Sequence, residues 1–260
     1  MQPKGFEENG RDTHVCRLKK AMYGLKQAPR AWYARMDSYL LRIGFVKSFV
    51  DPNIYIKVVN NELVIILLYM DYLFIIGVER RIQECKNMLA VEFEMKDLGL
   101  MYYYLGLEVW KNPGEIYLGK GKYIIKLLQK FGMMDSKPMI TPMITNLKKL
   151  RRSYSSLMDP SSYRQLVGSL IYLVNTRLDI CFDVNILSQF QLEPHYDHWI
   201  AAKHILRYLR GIIHHCLKYN SKEVNLISFT NSDWGGGDTD GRSTTGGCFS
   251  LGFGMISWMS

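Results

Sequence analysis

The spacing of apolar residues predicts two amphipathic helices in the N-terminal part of the chain. The first has its apolar positions on one face: Trp32, Met36, Tyr39, Leu40 and Ile43. Pro29 suits the first turn of this helix and Gly44 its C-terminal stop. The second helix has charged residues between its apolar positions. These apolar positions are Ile82, Cys85, Met88, Leu89 and Phe93. We interpret the first stripe as core.

Between these helices the pattern changes to continuous apolar runs, which are typical of strands. The predicted strands are 54–59, 63–69 and 73–77. Asn60-Asn61 is a turn pair between the first two runs, and Met70-Asp71-Tyr72 is a break between the second and third. The pattern therefore predicts a tight apolar hairpin with an acidic residue at its tip.

The pattern downstream predicts one more strand, a linker and two further helices. The strand runs from Tyr102 to Trp110, and Asn112-Pro113-Gly114 is a turn after it. The composition of 136–160 shifts to Pro, Ser, Lys and Arg, which favours an exposed linker and a domain boundary. The helices begin near Ser161 and His198, and residues 226–260 return to strand-like segments.

Basic residues on the last of these helices have two interpretations. Lys203, Arg207 and Arg210 fall largely opposite its apolar side. A solvated face is one interpretation and contact with phosphates is the other. The pattern alone does not separate them.

Composition and charge narrow the class of protein. With 48% hydrophobic and 22% charged residues among 260, the chain is globular. A net charge of +9 favours a polyanionic partner such as nucleic acid, with a merely basic soluble protein as the alternative. Five cysteines without a C-x-x-C motif, and a start without an apolar signal region, predict a cytoplasmic or nuclear chain that is not secreted. The apolar run 63–70 is too short to cross a membrane, so no membrane partner is expected.

Asp71 at the hairpin tip is a candidate metal ligand. A charge between apolar strands is costly unless it lies at the tip or holds a cation. Enzymes that extend nucleic acids need several carboxylates around two divalent ions about 3.5–4 Å apart. A rigid, exposed tip suits such a carboxylate.

Several collinear segments, which together reach over nearly all of the chain, resemble Ty1/copia-type retrotransposon reverse transcriptases. The segments that carry this resemblance are 18–33, 93–99, 104–109, 163–173 and 202–211. Arg242-Ser243-Thr244-Thr245-Gly246-Gly247 resembles the opening of the ribonuclease H segment of that family. The resemblance implies an RNA-directed DNA polymerase within a Pol polyprotein, with Mg²⁺ as cofactor and an RNA or DNA template-primer as partner.

The fold implied by this resemblance is α+β, with a partial polymerase palm and fingers built on an antiparallel sheet with packed helices. We expect a fingers and palm fragment in 1–135, a linker in 136–160 and a helical thumb or connecting region in 161–220. Residues 221–260 would form a truncated ribonuclease H-like hairpin, the N-terminal part of that domain.

The sequence departs from the family at the catalytic aspartates. The family pattern Tyr-Val-Asp-Asp aligns with Tyr69-Met70-Asp71-Tyr72, so Tyr72 replaces one carboxylate and Asp71 survives. A further aspartate is expected in a strand upstream of Gln2. In the ribonuclease H pattern Asn231 replaces the first aspartate, while Asp233 survives and could merely cap a turn. An amide is a poorer magnesium ligand than a carboxylate.

The resemblance also implies a segment that lies near template and incoming nucleotide. Its candidate nucleic-acid and nucleotide-binding residues are Lys20, Tyr23, Gly24, Lys26, Gln27 and Arg30. Lys26 and Arg30 can meet phosphates, whereas Tyr23 could either stack on a base or lie in the core. A zinc site is not supported by the histidines near 195–215, because no C-x-x-C accompanies them.

Three functions are compatible with the sequence. The first is the family's reverse transcriptase activity, which the replaced aspartates argue against, so we expect an inactive fragment. The second is a non-enzymatic nucleic-acid-binding remnant. The third is a decayed open reading frame without function.

Overall fold

A computed structural model describes residues 24–143, 155–221, 225–233 and 244–259. The chain divides into two compact units, of which the first ends at Leu98 and the second begins at Gly99. Both combine helices with antiparallel sheets, which confirms the mixed α and β class. Within the ranges described, no helix is long and apolar enough to cross a membrane.

The first unit is a four-stranded antiparallel sheet with two helices. In chain order its elements are α1 (Ala28–Arg42), β1 (Val46–Lys47), β2 (Ile54–Val59), β3 (Glu62–Tyr69), β4 (Tyr72–Ile76) and α2 (Glu79–Glu92). The strands lie in the order β1-β2-β3-β4. The two predicted helices, the turn at Asn60-Asn61 and the hairpin with Asp71 at its tip are confirmed, and Asn60 and Asn61 have φ of 51° and 61°. Asparagine tolerates this left-handed conformation better than most residues.

One face of this sheet packs against the helices. Val64, Ile66 and Leu68 alternate along β3 and are buried, because successive side chains of a strand point to opposite faces. They share a core with Met36 and Leu40 of α1, as the helical stripe predicts. Burial of these side chains fixes the register of the hairpin that ends in Asp71.

The second unit holds the remaining elements. They are β5 (Tyr103–Tyr104), β6 (Leu107–Asn112), β7 (Glu115–Gly119), α3 (Gly121–Lys130), α4 (Pro160–Val174), a 3-10 helix (Leu178–Ile180), α5 (Cys181–Ser188), α6 (Tyr196–Gly211), β8 (Leu217–Asn220), β9 (Leu226–Asp233), β10 (Thr244–Leu251) and β11 (Gly254–Met259). Two antiparallel sheets result, with orders β5-β6-β7-β8 and β9-β10-β11.

The single strand predicted from Tyr102 to Trp110 is wrong. Leu105 and Gly106 have φ of 47° and 82°, so the chain turns there and β5 pairs back onto β6. An extended strand needs negative φ at every position, and these two residues break it. The glycine accounts for the turn because it adopts positive φ at little cost.

Helices α4 and α6 are confirmed, but two helices were not predicted. Helix α5 lies between α4 and α6, and α3 follows β7 directly. Ile124, Leu127 and Leu128 of α3 are buried in one core with α4, α5 and α6. A ten-residue helix between a strand and a turn is short enough to escape a periodicity argument.

The division between the two units differs from the boundary predicted at 136–160. Helix α3 precedes that segment and packs with helices that follow it, while β8 pairs with β7 from before it. Segments on both sides of 136–160 therefore belong to the same compact unit. Residues 144–154 of the predicted linker lie outside the described residues.

Candidate catalytic hairpin and nucleic-acid interface

Asp71 lies in the two-residue turn between β3 and β4. The register pairs Tyr69 with Tyr72, which leaves Met70 and Asp71 as the tip. Met70 has a φ of 50°, an uncommon conformation for a residue with a Cβ atom. Asp71 is exposed, so its carboxylate is hydrated and carries no burial cost.

The described residues form no cluster of carboxylates around Asp71 at this tip. Among them there is no group of three or more His, Cys, Asp or Glu side chains that could hold a metal ion. The position after Asp71 holds the half-exposed phenol of Tyr72. Magnesium prefers carboxylate oxygens in octahedral geometry, which a tyrosine beside one aspartate does not supply.

The candidate nucleic-acid residues lie where the chain enters α1. Gly24 has a φ of 90° and precedes the turn into the helix, in which the amide of Ala28 donates to the carbonyl of Leu25. Gly24, Lys26, Gln27 and Arg30 are exposed at this end. The exposed side chains of Lys26 and Arg30 form no hydrogen bond or ion pair with any described residue, so both are available to an anion. Lys20 and Tyr23 lie outside the described residues.

A polar network holds α1 to its sheet. The Tyr55 hydroxyl donates to Asp37 over 2.6 Å, and the Lys47 ammonium lies 2.5 Å from the same carboxylate. Burial raises the pKa of Asp37, but the hydrogen bonds from Lys47 and Tyr55 lower it by more than burial raises it. The pKa of Asp37 is therefore below its usual value. The ion pair between Lys47 and Asp37 and the shared core therefore fix α1, and with it the position of Lys26 and Arg30 at its start.

The candidate ribonuclease H residues lie on a strand at the edge of the β9-β10-β11 sheet. Asn231 is exposed on β9, opposite Gly246 of β10. Asp233 is the last residue of β9, opposite Thr244. Residues 234–243, which join the two strands, lie outside the described residues.

The structure shows contacts on the basic face of α6 that neither interpretation included. The Arg207 guanidinium donates to the carbonyl of Lys137 over 2.8 Å, and that of Arg210 donates to the carbonyl of Met134. Lys203 lies over the Trp199 ring at 5.2 Å. The two arginines therefore hold the segment after α3.

Two histidines of α6, His198 and His204, also have structural contacts. The His198 ring stacks on Phe190 with centroids 4.0 Å apart, and its Nδ1 accepts from the amide of His195. The His204 Nε2 lies 3.0 Å from the carbonyl of Thr141. Burial lowers the pKa of His204, which keeps the ring neutral.

Two features of the second unit were missed by the sequence analysis. Lys120 is buried, its ammonium donates to the carbonyl of Tyr172, and burial lowers its pKa to about 8. A cleft of about 540 Å³ opens beside Glu108 and Trp110. Glu108 and Trp110 are two positions apart in one strand, and this spacing could have indicated that their side chains lie on the same face of the sheet.

Comparison with known proteins agrees with the motifs. Residues 1–145 match the family model described as reverse transcriptase (RNA-dependent DNA polymerase). Over its whole length, the chain is 39% identical to the retrovirus-related Pol polyprotein from transposon RE2 of Arabidopsis thaliana. It is 37% identical, again over its whole length, to that from transposon TNT 1-94 of Nicotiana tabacum.

Coverage of these relatives is unequal. The chain spans 18% and 20% of the length of the two Pol polyproteins. It is also 38% identical to an uncharacterized mitochondrial protein of Arabidopsis thaliana, over 74% of this chain and 81% of that protein. No solved structure gives a significant match.

Proposed function

This chain belongs to the reverse transcriptase (RNA-dependent DNA polymerase) family found in retrovirus-related transposon Pol polyproteins, and from that membership we propose a nucleic-acid-binding polymerase module without catalytic activity. The observation that carries this proposal is the hairpin tip, where Asp71 is followed by Tyr72 and not by a second carboxylate. Two-metal phosphoryl transfer needs several carboxylates around the two metal ions.

Magnesium chemistry is not supported by the described residues. The family implies a divalent ion held by hairpin aspartates, and Asp71 is the residue here that would contribute an oxygen. A single exposed carboxylate beside a phenol does not fit a two-metal site. We therefore propose no catalytic step through the ion.

The proposal extends to the parts of the fold. We assign α1, α2 and β1–β4 to a palm with fingers elements, because this unit carries the hairpin and the basic segment. We assign the helices of 161–220 to a thumb or connecting region and β9–β11 to the first strands of a ribonuclease H-like domain. Asn231 in place of a carboxylate predicts that this second site is inactive too.

Nucleic acid is the proposed partner. A net charge of +9 and the exposed Lys26 and Arg30 at the start of α1 support contact with a phosphate backbone. The other candidate is a decayed open reading frame without a function. This candidate predicts that the expressed chain does not accumulate as a folded protein. The module proposed here instead gives a soluble product that binds single-stranded nucleic acid.

Primer extension tests the proposal directly. The chain is incubated with a primed RNA template, deoxynucleotides and magnesium, beside a fusion in which the upstream region of the RE2 Pol polyprotein precedes it and Tyr72→Asp restores the second carboxylate. We expect no extension by the chain itself and extension by the repaired fusion, because the fusion regains the carboxylates that position the ions.

Template binding is measured on the same samples by fluorescence anisotropy. An Asp71→Asn version of the repaired fusion is the matched control, since it keeps the fold and removes one ligand. Extension by the unaltered chain above a heat-inactivated sample contradicts the proposal. So does a repaired fusion that binds template but does not extend the primer, because Tyr72 is then not the cause of inactivity.

A further inference from the structure

The cleft of the second unit has an aromatic floor. Trp110 of β6 and Tyr117 of β7 are direct cross-strand partners, so their side chains share one face of the sheet. Glu108 and Gly119 are the next pair along the same face. The Trp110 side chain is 48% exposed, which leaves ring surface open to the cleft of about 540 Å³. This volume lies in the range of small-molecule sites.

The walls of the cleft carry positive or titratable groups. One wall is the first turn of α3, with Gly121, Lys122 and Ile125. The other is the segment between α6 and β8, with Ile213, His214, His215 and Cys216. Lys122, His214 and His215 are exposed at the rim, where a phosphate would meet them.

Glycine at positions 119 and 121 keeps the cleft open. A Cβ atom on Gly119 would lie 3.1 Å from the Trp110 ring and 3.3 Å from Cβ of Cys216. A Cβ atom on Gly121 would lie 3.3 Å from Oε2 of Glu108. Neither glycine has positive φ, so space and not backbone conformation explains the residue type.

Glu108 supplies a buried acceptor at the back of the cleft. Its side chain is only 8% exposed, and Oε2 accepts the backbone N–H of Lys122 over 2.8 Å. The Lys122 ammonium lies 3.7 Å from Oε1. A carboxylate has about four lone-pair positions, so these contacts leave capacity for two further N–H donors.

We propose that this cleft binds a nucleotide with a guanine base, stacked on Trp110 and held at its Watson–Crick edge by Glu108. Guanine offers two adjacent N–H donors on that edge, and they match one carboxylate as a pair. Uracil offers a single N–H between two carbonyl groups, which the carboxylate repels. The positive charge of Lys122 at the rim favours the phosphate and disfavours a cationic ligand, and the exposed imidazole rings of His214 and His215 can donate hydrogen bonds to the phosphate.

This inference goes beyond the polymerase chemistry, because every lining residue belongs to the second unit and none belongs to the hairpin. The base could come from a free nucleotide or from an unpaired position of a strand. The strand source rests on the nucleic-acid binding proposed above, and the free nucleotide does not. The two are therefore tested in separate arms.

The first arm titrates the full chain with GMP and, separately, with UMP. Tryptophan fluorescence reports stacking, and alkylation of the exposed Cys216 by iodoacetamide reports occupancy at the cleft wall. Cys248 serves as an internal reference in the same peptide-mass measurement, because it does not line the cleft. We expect GMP to quench the fluorescence and to protect Cys216 but not Cys248, with UMP at least about ten-fold weaker.

Variants connect the binding to named groups. Trp110→Ala should weaken protection of Cys216 by GMP at least about five-fold through loss of stacking. Glu108→Gln keeps an oxygen for the start of α3 but should remove the preference for GMP over UMP. Gly119→Ala should weaken GMP binding by filling the floor. Gly168→Ala on α4, where a Cβ atom meets nothing within 4 Å, is the matched control.

The second arm replaces GMP by short single strands of guanine or uracil. Protection of Cys216 by the guanine strand, lost in Trp110→Ala, assigns the cleft to an unpaired base as well. A strand that binds without protecting Cys216, while GMP still protects it, assigns the cleft to the free nucleotide. The inference is overturned if GMP leaves Cys216 and the fluorescence unchanged, or if GMP and UMP bind equally well. Neither of these results bears on primer extension, so the two proposals fail separately.

Discussion

At the scale of single residues, two aspartates in the second unit have opposite electrostatic surroundings: Asp179 is exposed and Asp183 is buried. Asp179 accepts two hydrogen bonds from Arg177, of 2.9 and 2.6 Å, and one from the Tyr208 hydroxyl. Burial raises the pKa of Asp179, but the hydrogen bonds and charge of Arg177 outweigh burial, and its pKa is below the usual value. Asp183 is buried without such a cation, and burial together with the charge of Asp179 raises its pKa to about 6.

Asp183→Asn should stabilise the chain at neutral pH. A raised folded-state pKa means that the folded chain holds an extra proton between the unfolded pKa of 3.8 and the folded pKa of about 6. Stability is therefore highest below that window and falls as pH rises through about 6. An asparagine does not ionise, so we expect a gain of about 2–3 kcal/mol at pH 7 and little change at pH 4.

Urea denaturation at several pH values measures this effect. Glu193→Gln is the control, since Glu193 is exposed and its replacement likewise removes one carboxylate of the second unit. An unchanged pH profile for Asp183→Asn would show that Asp183 is ionised without penalty in the folded chain.

At the scale of elements, the turn between β5 and β6 depends on one glycine. Gly106 has a φ of 82°, and a Cβ atom there would lie 2.9 Å from the Tyr172 hydroxyl oxygen. That hydroxyl donates to the carbonyl of Leu105, and the Tyr172 ring lies 3.5 Å from the Lys120 ammonium. The side chain of Tyr172 therefore has little freedom to move away.

Gly106→Ala should cost more stability than Gly132→Ala. Both glycines have positive φ, so both variants carry a strain of about 1–2 kcal/mol. Only Gly106 has a close neighbour, since a Cβ atom on Gly132 meets nothing within 4 Å. The urea midpoints of the two variants give the comparison. Equal losses would mean that Tyr172 yields without cost and does not hold the turn.

At the scale of the whole molecule, the net charge of +9 governs binding to a polyanion. Each phosphate contact on a single strand contributes about 0.7 to the slope of log affinity against log salt concentration. We expect the double variant Lys26→Gln with Arg30→Gln to reduce that slope by about 1.4, because both side chains are exposed and unpaired among the described residues.

Anisotropy titrations of a single-stranded RNA at several salt concentrations give the slope. Arg80→Gln is the matched control, because Arg80 is exposed but already lies 3.0 Å from the carboxylate of Glu62. A double variant with the slope of the unaltered chain would exclude the start of α1 from the interface, whatever the affinity.

The sequence by itself determined the local elements of the first unit and the resemblance to the family. The stripe of α1, the turn pair at Asn60-Asn61 and the break at Asp71 all appear in the structure where the pattern predicts them. Hydrophobic periodicity reports which side of an element is buried, and turn residues report where φ must be positive. The replacement at Tyr72, which is the basis for an inactive polymerase, also needs no structure.

Only the tertiary structure decided which polar groups are already paired. Arg207 and Arg210 form part of a basic face in the sequence, but their partners lie 70 and 76 residues away, on backbone carbonyls. The cleft likewise joins β6, β7, the start of α3 and residues 213–216. A pattern of neighbouring residues contains no distance between segments so far apart in the chain. The pairing of charges and the shape of a cleft therefore depend on packing, whereas the elements and the hairpin tip depend on local sequence.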